Sequence, residues 1–148
     1  MNVKGKVVIV TGASSGIGLA TTTLLSQKGA KIALVARSED ILKAVSKKLS
    51  DSFVIKADLR KESEVKRMIK LTLKHYGRID VLVNNAGRGY DASIENIDLK
   101  KLDELISLNF KAPLIAMQEV IPIMRKQKAG AIVNISSGTS LMAIPNLS

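Results

Sequence analysis

The sequence predicts an α/β fold, a doubly wound parallel sheet clothed by helices on both faces, and three observations predict it. Short apolar runs alternate with stretches of helical periodicity along the chain, the pattern of βαβ units joined by right-handed crossovers. A glycine-rich turn, Thr11-Gly12-Ala13-Ser14-Ser15-Gly16-Ile17-Gly18, separates the first apolar run from the first helical stretch. Aromatic residues make up 3% of the chain against 46% apolar residues in all, so the core is built from Val, Ile, Leu, Ala and Met, which suits a parallel sheet buried on both sides.

The elements follow in order. Lys6–Val10 is the first strand. The stretch Ile17–Lys28 reads as a helix closed by Gly29, a residue suited to the left-handed conformation just past a helix end. Lys31–Ala36 is the second strand, after which Ser38 offers an N-cap for a helix through Leu49, with Ile41, Leu42, Val45 and Leu49 on one stripe. Phe53–Ala57 is the third strand. The helix Glu62–His75 places Val65, Met68, Ile69 and Thr72 on one face, and Gly77 ends it. Asp80–Val83 is the fourth strand and runs into Asn84-Asn85-Ala86-Gly87. A loop, Arg88–Asp98, leads to a helical stretch from Leu99 to Arg125 that contains Pro113 and Pro122. Proline removes a helical hydrogen bond, so this stretch is expected to be two helices or one bent one. Ala131–Ile135 is the fifth strand. No repeat, linker or low-complexity segment divides residues 1–148, which read as one domain or part of one.

Composition narrows the function classes. The chain has no cysteine, which excludes disulfides and thiolate metal sites, and no metal site is expected. The apolar run Val7–Val10 is too short for a signal-peptide core, and nothing approaches the roughly 18–20 residues that span a bilayer. A protein of the cytoplasm, away from membranes, is expected. The formal charge of +10 raises nucleic-acid binding as a rival reading. However, Lys43, Lys47, Lys48, Lys66, Arg67, Lys70 and Lys74 alternate with apolar positions at helical spacing, so they read as solvated outer faces, and no nucleic-acid partner is expected.

The turn at 11–18 carries the most chemistry. A strand-to-helix turn of this kind is where dinucleotide folds hold a pyrophosphate, on free backbone N–H groups at the positive end of a helix dipole. Gly12 lets the chain turn off the strand, Gly16 lets the backbone approach the phosphates, and Gly18 lets the helix pack on the sheet. The alternative for a turn taken alone is a plain strand-to-helix loop. At the end of the second strand an acidic residue would hold ribose hydroxyls and repel a 2′-phosphate. Here Ala36 is followed by Arg37 and Ser38, a guanidinium beside a hydroxyl, which is good phosphate chemistry and predicts NADP(H) in preference to NAD(H). An ordinary surface charge is the alternative for Arg37.

Taken together, these motifs resemble the short-chain dehydrogenase/reductase family over essentially the whole chain. TGASSGIG, which includes Ser14, Ser15 and Ile17, is similar to the family's cofactor turn. Asp58-Leu59 resembles the pair that contacts adenine, the carboxylate accepting from the exocyclic amine. The Asn85, Ala86 and Gly87 of NNAG resemble the motif that lies along the cofactor ribose. Asn109 in SLNFKAP resembles the helical Asn that holds a water in a proton relay, and the second Ser of Asn134-Ile135-Ser136-Ser137 resembles the catalytic Ser, so that role falls to Ser137. The resemblance implies a Rossmann-like three-layer fold with five of the usual seven strands. It also implies hydride transfer between NADP(H) and a small-molecule alcohol or ketone, and a homo-oligomer, dimer or tetramer.

In such enzymes a Tyr in a Y-x-x-x-K motif supplies the proton. Only eleven residues follow Ser137, and that motif is not among them. Neither Tyr76, at the end of a surface helix, nor Tyr90, in the loop after NNAG, is placed to substitute, and His75 reads as solvent-exposed. The chain is therefore expected to be the N-terminal portion of a longer enzyme and inactive alone, with the fifth strand exposing an open edge. A non-catalytic nucleotide-binding or redox-sensing module is the reading from another class. Asn109 and Ser137, which a pure sensor has no need of, favour the enzyme.

Overall fold

The computed structural model describes residues 2–137. Strands β1 (Val7–Thr11), β2 (Lys31–Ala36), β3 (Ser52–Lys56), β4 (Val81–Asn84) and β5 (Ala131–Asn134) form one sheet in the order β3-β2-β1-β4-β5, and every pairing is parallel. Helices α1 (Gly16–Gln27), α2 (Glu39–Ser46), α3 (Glu62–Tyr76), α4 (Leu99–Ile106) and α5 (Ala112–Gln127) connect them. The chain leaves β1 toward β2 on one side and later returns to place β4 on the other. The carboxyl ends of β1 and β4 thus flank the point where strand order reverses, where folds of this kind form a crevice.

The strands are apolar between their ends, yet their side chains still divide by alternation. Val8, Val10, Ile32, Leu34, Val81 and Val83 pack toward Leu25 of α1 and Leu42 of α2. Ile9, Ala33, Val35, Ile55 and Leu82 pack toward Val65, Met68 and Ile69 of α3 and Ala112, Ala116, Val120 and Met124 of α5. The buried face of α3 consists of Val65, Met68, Ile69 and Thr72, the stripe that the spacing predicts. Gly77, at φ +75°, ends that helix in the left-handed conformation.

The second helix departs from expectation. It ends at Ser46, only Leu42 of its stripe is fully buried, and Ile41 is 49% exposed. Beyond Ser46 the chain tightens, with the Lys48 N–H donating to the Val45 carbonyl and the Leu49 N–H to the Ser46 carbonyl, while the Ser46 and Ser52 hydroxyls pair at 2.7 Å. Ser38 precedes the helix but its hydroxyl makes no capping bond.

The stretch from Leu99 is interrupted once, by a π-helical turn at Ser107–Lys111 that holds Asn109. Pro113 lies at the start of α5 and has no N–H to return to the carbonyl of Asn109 four residues earlier, so the α-helical ladder lapses there. Pro122 lies inside α5 without ending it. Among the described residues no helix is long and apolar enough to cross a membrane.

Small residues let α1 approach the sheet. Its buried positions are Gly18, Thr22 and Ser26, one turn apart. Among the described residues, Thr22 Oγ1 is the buried side-chain polar atom left without a hydrogen-bond partner. An unpaired buried hydroxyl is costly and valine has nearly its shape, so Thr22→Val is expected to raise stability by about 1 kcal/mol in urea denaturation. An unchanged or lower midpoint would show that the hydroxyl is satisfied in solution.

Candidate functional site

The site is assembled on the carboxyl ends of the strands. The strand β1 is apolar except for its last residue, Thr11, which is 3% exposed. Its hydroxyl donates to the Val83 carbonyl at 3.2 Å and accepts from the Asn85 N–H at 2.9 Å and the Ala86 N–H at 3.0 Å. Asn85 answers in the other direction, its side-chain amide donating to the Thr11 carbonyl at 2.9 Å. The glycine turn and the NNAG segment are therefore fastened to each other across the strand switch. The sequence reading did not assign Thr11 a role; a hydroxyl closing an otherwise apolar strand was the available signal.

Gly18 lies where a Cβ would collide with the Gly12 carbonyl oxygen and come within 2.5 Å of Asn85 Nδ2, so a side chain cannot be seated there. Gly16 differs. A Cβ on it meets nothing within 4 Å, but its φ of +52° is one that side-chain-bearing residues rarely adopt. The turn thus leaves open space above Gly16 at the amino end of α1, where the first N–H groups of a helix have no intrahelical partner. Ile17 beside it is 62% exposed.

A cleft of about 250 Å³ opens over this turn. Gly12, Ser14 and Ser15 form its floor; Ala36, Arg37 and Ser38 form the wall from β2; Ala57, Asp58, Leu59 and Arg60 form the wall from β3; Asn85, Ala86, Gly87, Arg88 and Leu108 close the remaining side. Of the residues singled out in the sequence, Gly12, Ser14, Ser15, Arg37, Ser38, Asp58, Leu59, Asn85, Ala86 and Gly87 meet in this one cleft. Gly16, Ile17 and Gly18 form the first turn of α1 and are not among the lining residues.

Three arginines line the cleft, and they differ in their engagement. Arg60 grips Asp58 with Nε and Nη2, at 2.9 and 2.7 Å, and donates through Nη1 to Glu104 Oε2 at 2.8 Å. Arg88 Nη2 donates to the same Oε2 at 3.1 Å. Among the described residues Arg37 forms no ion pair. Arg60, Arg88 and Glu104 escaped the sequence reading, because a pairing between the loop after β3 and a helix some forty residues later leaves no local signature.

The Arg60 hydrogen bonds outweigh partial burial and hold the Asp58 carboxyl down at about 2, with Arg37 adding to the pull. A carboxyl depressed in this way contributes stability above its ordinary value of 3.8 and loses it only as pH falls toward about 2. Any interaction in which this carboxylate accepts a hydrogen bond should therefore be flat between about pH 5 and pH 8. A titration calorimetry series showing ligand affinity to depend on a carboxyl in that window would place the titrating group elsewhere.

Asn109 adjoins the cleft from the π-helical turn. Its side chain accepts from the Arg88 N–H at 3.1 Å and donates to the Arg88 carbonyl at 2.8 Å, so it holds the segment after Gly87 by both backbone groups. Ser137 stands beyond β5, where Ile135 N–H donates to the Asn84 carbonyl and Asn134 pairs with Asn84 at 2.8 Å. It is exposed and lies outside the cleft lining. Of the side chains set aside in the sequence, His75 is exposed and stacked on Phe53 at 4.1 Å. Tyr76 is half-buried with its hydroxyl on Asp51, and burial followed by that contact pushes the phenol up. Tyr90 accepts from the Asp98 N–H at 2.9 Å, closing the loop it sits in.

A doubly wound sheet with a glycine turn at its strand switch and a basic cleft above it defines a nucleotide-binding α/β protein. The chain belongs to the short chain dehydrogenase family, whose model matches residues 6–148. It is 43% identical over 146 residues to an oxidoreductase of Staphylococcus saprophyticus, covering 97% of this chain and 59% of the relative. It is also 35% identical over 149 residues to one from Listeria monocytogenes, covering 98% of this chain and 60% of that one. The chain thus spans about three fifths of the length of these relatives. A metagenomic short-chain oxidoreductase solved in complex with NADP superposes with a TM-score of 0.94 at 33% identity, over 99% of this chain and 69% of that one.

Proposed function

We propose that this chain forms the coenzyme-binding half of an NADP(H)-dependent oxidoreductase acting on an alcohol or ketone. The observation that carries the reading is the glycine turn. It lies at the strand switch, lines the cleft with Gly12, Ser14 and Ser15, and leads directly into the amino end of α1, with Gly16 left-handed and its Cβ direction open. The diphosphate of a dinucleotide fits that description.

Three further assignments follow. Arg60 and Arg88 are committed to carboxylates, which leaves Arg37 with neighbouring Ser38 to take a 2′-phosphate. Asp58 and Leu59 form the purine wall, and Asn85, Ala86 and Gly87 lie along the ribose. When bound, the coenzyme would donate a hydride from its nicotinamide to a ketone carbon or accept one from an alcohol carbon. Ser137 donates a hydrogen bond to the substrate oxygen, and Asn109 at the lapse in the helical ladder orients a water for proton transfer. The NADP complex of the structural relative supports this choice of coenzyme.

The exposed apolar residues of the α4–α5 stretch support self-association. Ile106, Phe110, Leu114 and Ile121 are 39%, 68%, 42% and 39% exposed and recur at helical spacing, as a face meant for a second copy would.

Gly16→Val tests the reading. The substitution points a branched side chain into the open space over the turn, so NADPH binding measured by calorimetry should vanish while circular dichroism keeps the native helix content; binding at wild-type affinity would refute it. Arg37→Asp tests the coenzyme assignment. It should weaken NADPH by about tenfold or more and leave NADH nearly unchanged, in line with the strength of charge-assisted contacts. Equal losses for both would remove Arg37 from the 2′-phosphate.

A further inference from the structure

One oxygen, Glu104 Oε2, is shared by two guanidiniums that come from opposite walls of the cleft. Arg60 belongs to the loop after β3 and reaches Oε2 at 2.8 Å; Arg88 belongs to the segment after β4 and reaches it at 3.1 Å. From Arg60 the chain of contacts runs to Asp58 through a planar two-nitrogen fork, and from Arg88 it runs to Asn109 through both backbone groups.

We infer that Glu104 is a positioning residue that sets the purine selectivity of the cleft by locking Arg60, and through it the Asp58 carboxylate, against the wall formed by Arg88. The inference rests on the reading of this cleft as a coenzyme site and goes beyond it by assigning a role to a residue outside the cleft lining. The reasoning is geometric. A guanidinium is planar, and its two contacts to Asp58 fix the carboxylate plane only while the guanidinium itself cannot roll. Glu104 stops that roll by holding the third nitrogen. Removing its charge also takes away the counter-charge that Arg60 and Arg88 share, leaving Arg88 without its carboxylate and Arg60 with Asp58 alone, and the two guanidiniums separate. Asp58 then loses the orientation in which its remaining acceptor positions face the exocyclic amine of an adenine.

The ion pairs themselves are partly solvated. The side chains of Arg60, Arg88 and Glu104 are 30%, 39% and 46% exposed. Pairs of this kind contribute little to folding. Glu104→Gln should therefore change ligand selectivity without changing the unfolding midpoint, a split that a merely structural role would not give.

The experiment uses ADP-ribose and inosine diphosphate ribose, which differ in the exocyclic amine that Asp58 would accept from. Calorimetry on the wild-type chain should show a preference for ADP-ribose. In Glu104→Gln that preference should shrink by about fivefold or more with the urea midpoint unchanged. In an Arg60→Met background, the added Glu104→Gln change should have no further effect, because its route to Asp58 is gone. An undiminished preference in Glu104→Gln would overturn the inference, as would an equal loss in the Arg60→Met background. A wild-type chain that binds both compounds without preference would overturn it while sparing the coenzyme reading. A chain that binds neither would overturn both.

Discussion

Gly18→Val is expected to destabilise the fold by about 3 kcal/mol or more and to lose nucleotide binding with it. The Cβ alone collides with the Gly12 carbonyl oxygen and approaches Asn85 Nδ2, and both obstacles are fixed. Gly12 is held by the turn, and Asn85 by its bond to the Thr11 carbonyl. Relief requires α1 to lift off the sheet, which opens the small-residue face of Gly18, Thr22 and Ser26. Gly16→Val, two residues earlier, is expected to keep the fold at a strain of about 1–2 kcal/mol, since the space is empty and only the φ is unfavourable. Urea denaturation with parallel calorimetry separates the two variants. A Gly18→Val protein with the wild-type midpoint would contradict the packing described here.

Asp80→Ala is the second large effect, on stability alone. Asp80 is 3% exposed at the amino end of β4, opposite the cleft. It accepts from the Val7 N–H at 3.0 Å and from Arg78 at 2.9 and 2.6 Å, and Lys6 stands 3.5 Å away. Removing the carboxylate strands a backbone donor of β1 and two cations, so a loss of about 3 kcal/mol is expected. Burial pushes this carboxyl up, and the combined pull of Arg78, the Val7 N–H and Lys6 outweighs it, leaving it below 3.8. A depressed carboxyl stabilises fully above 3.8 and progressively less as pH falls through its lower folded value. The wild-type urea midpoint should therefore fall in acid, and the midpoint of Asp80→Asn should fall less steeply. Parallel acid profiles for the two proteins would assign that dependence to other carboxyls.

How much of this was legible in the sequence depended on whether the cause was local. The strands, the buried stripe of α3 and the left-handed close at Gly77 follow from apolar spacing and a single glycine. Gly12 is marked by its turn motif and Arg37 by its place after the second strand, while Asp58 and Asn85 rest on the family resemblance; all four line one cleft. Misreadings arose where tertiary contacts override local preference. Ile41 stays exposed while Leu42 alone of its stripe is fully buried, and the Ser38 hydroxyl makes no capping bond. The break before α5 falls at Asn109, one turn ahead of Pro113, because a proline disrupts the bond of the preceding turn. The carboxylate bridge of Glu104 was invisible, since nothing local links Arg60 to Arg88. The Tyr-Lys pair that the resemblance implies is not among residues 1–148, of which residues 138–148 lie outside the described ones.

Crystals grown with NADPH test the central claim most directly. The diphosphate oxygens should lie against the backbone amides between Ser14 and Ile17, with the 2′-phosphate on Arg37. A coenzyme seated elsewhere, or a turn whose amides face none of its phosphates, would contradict the account.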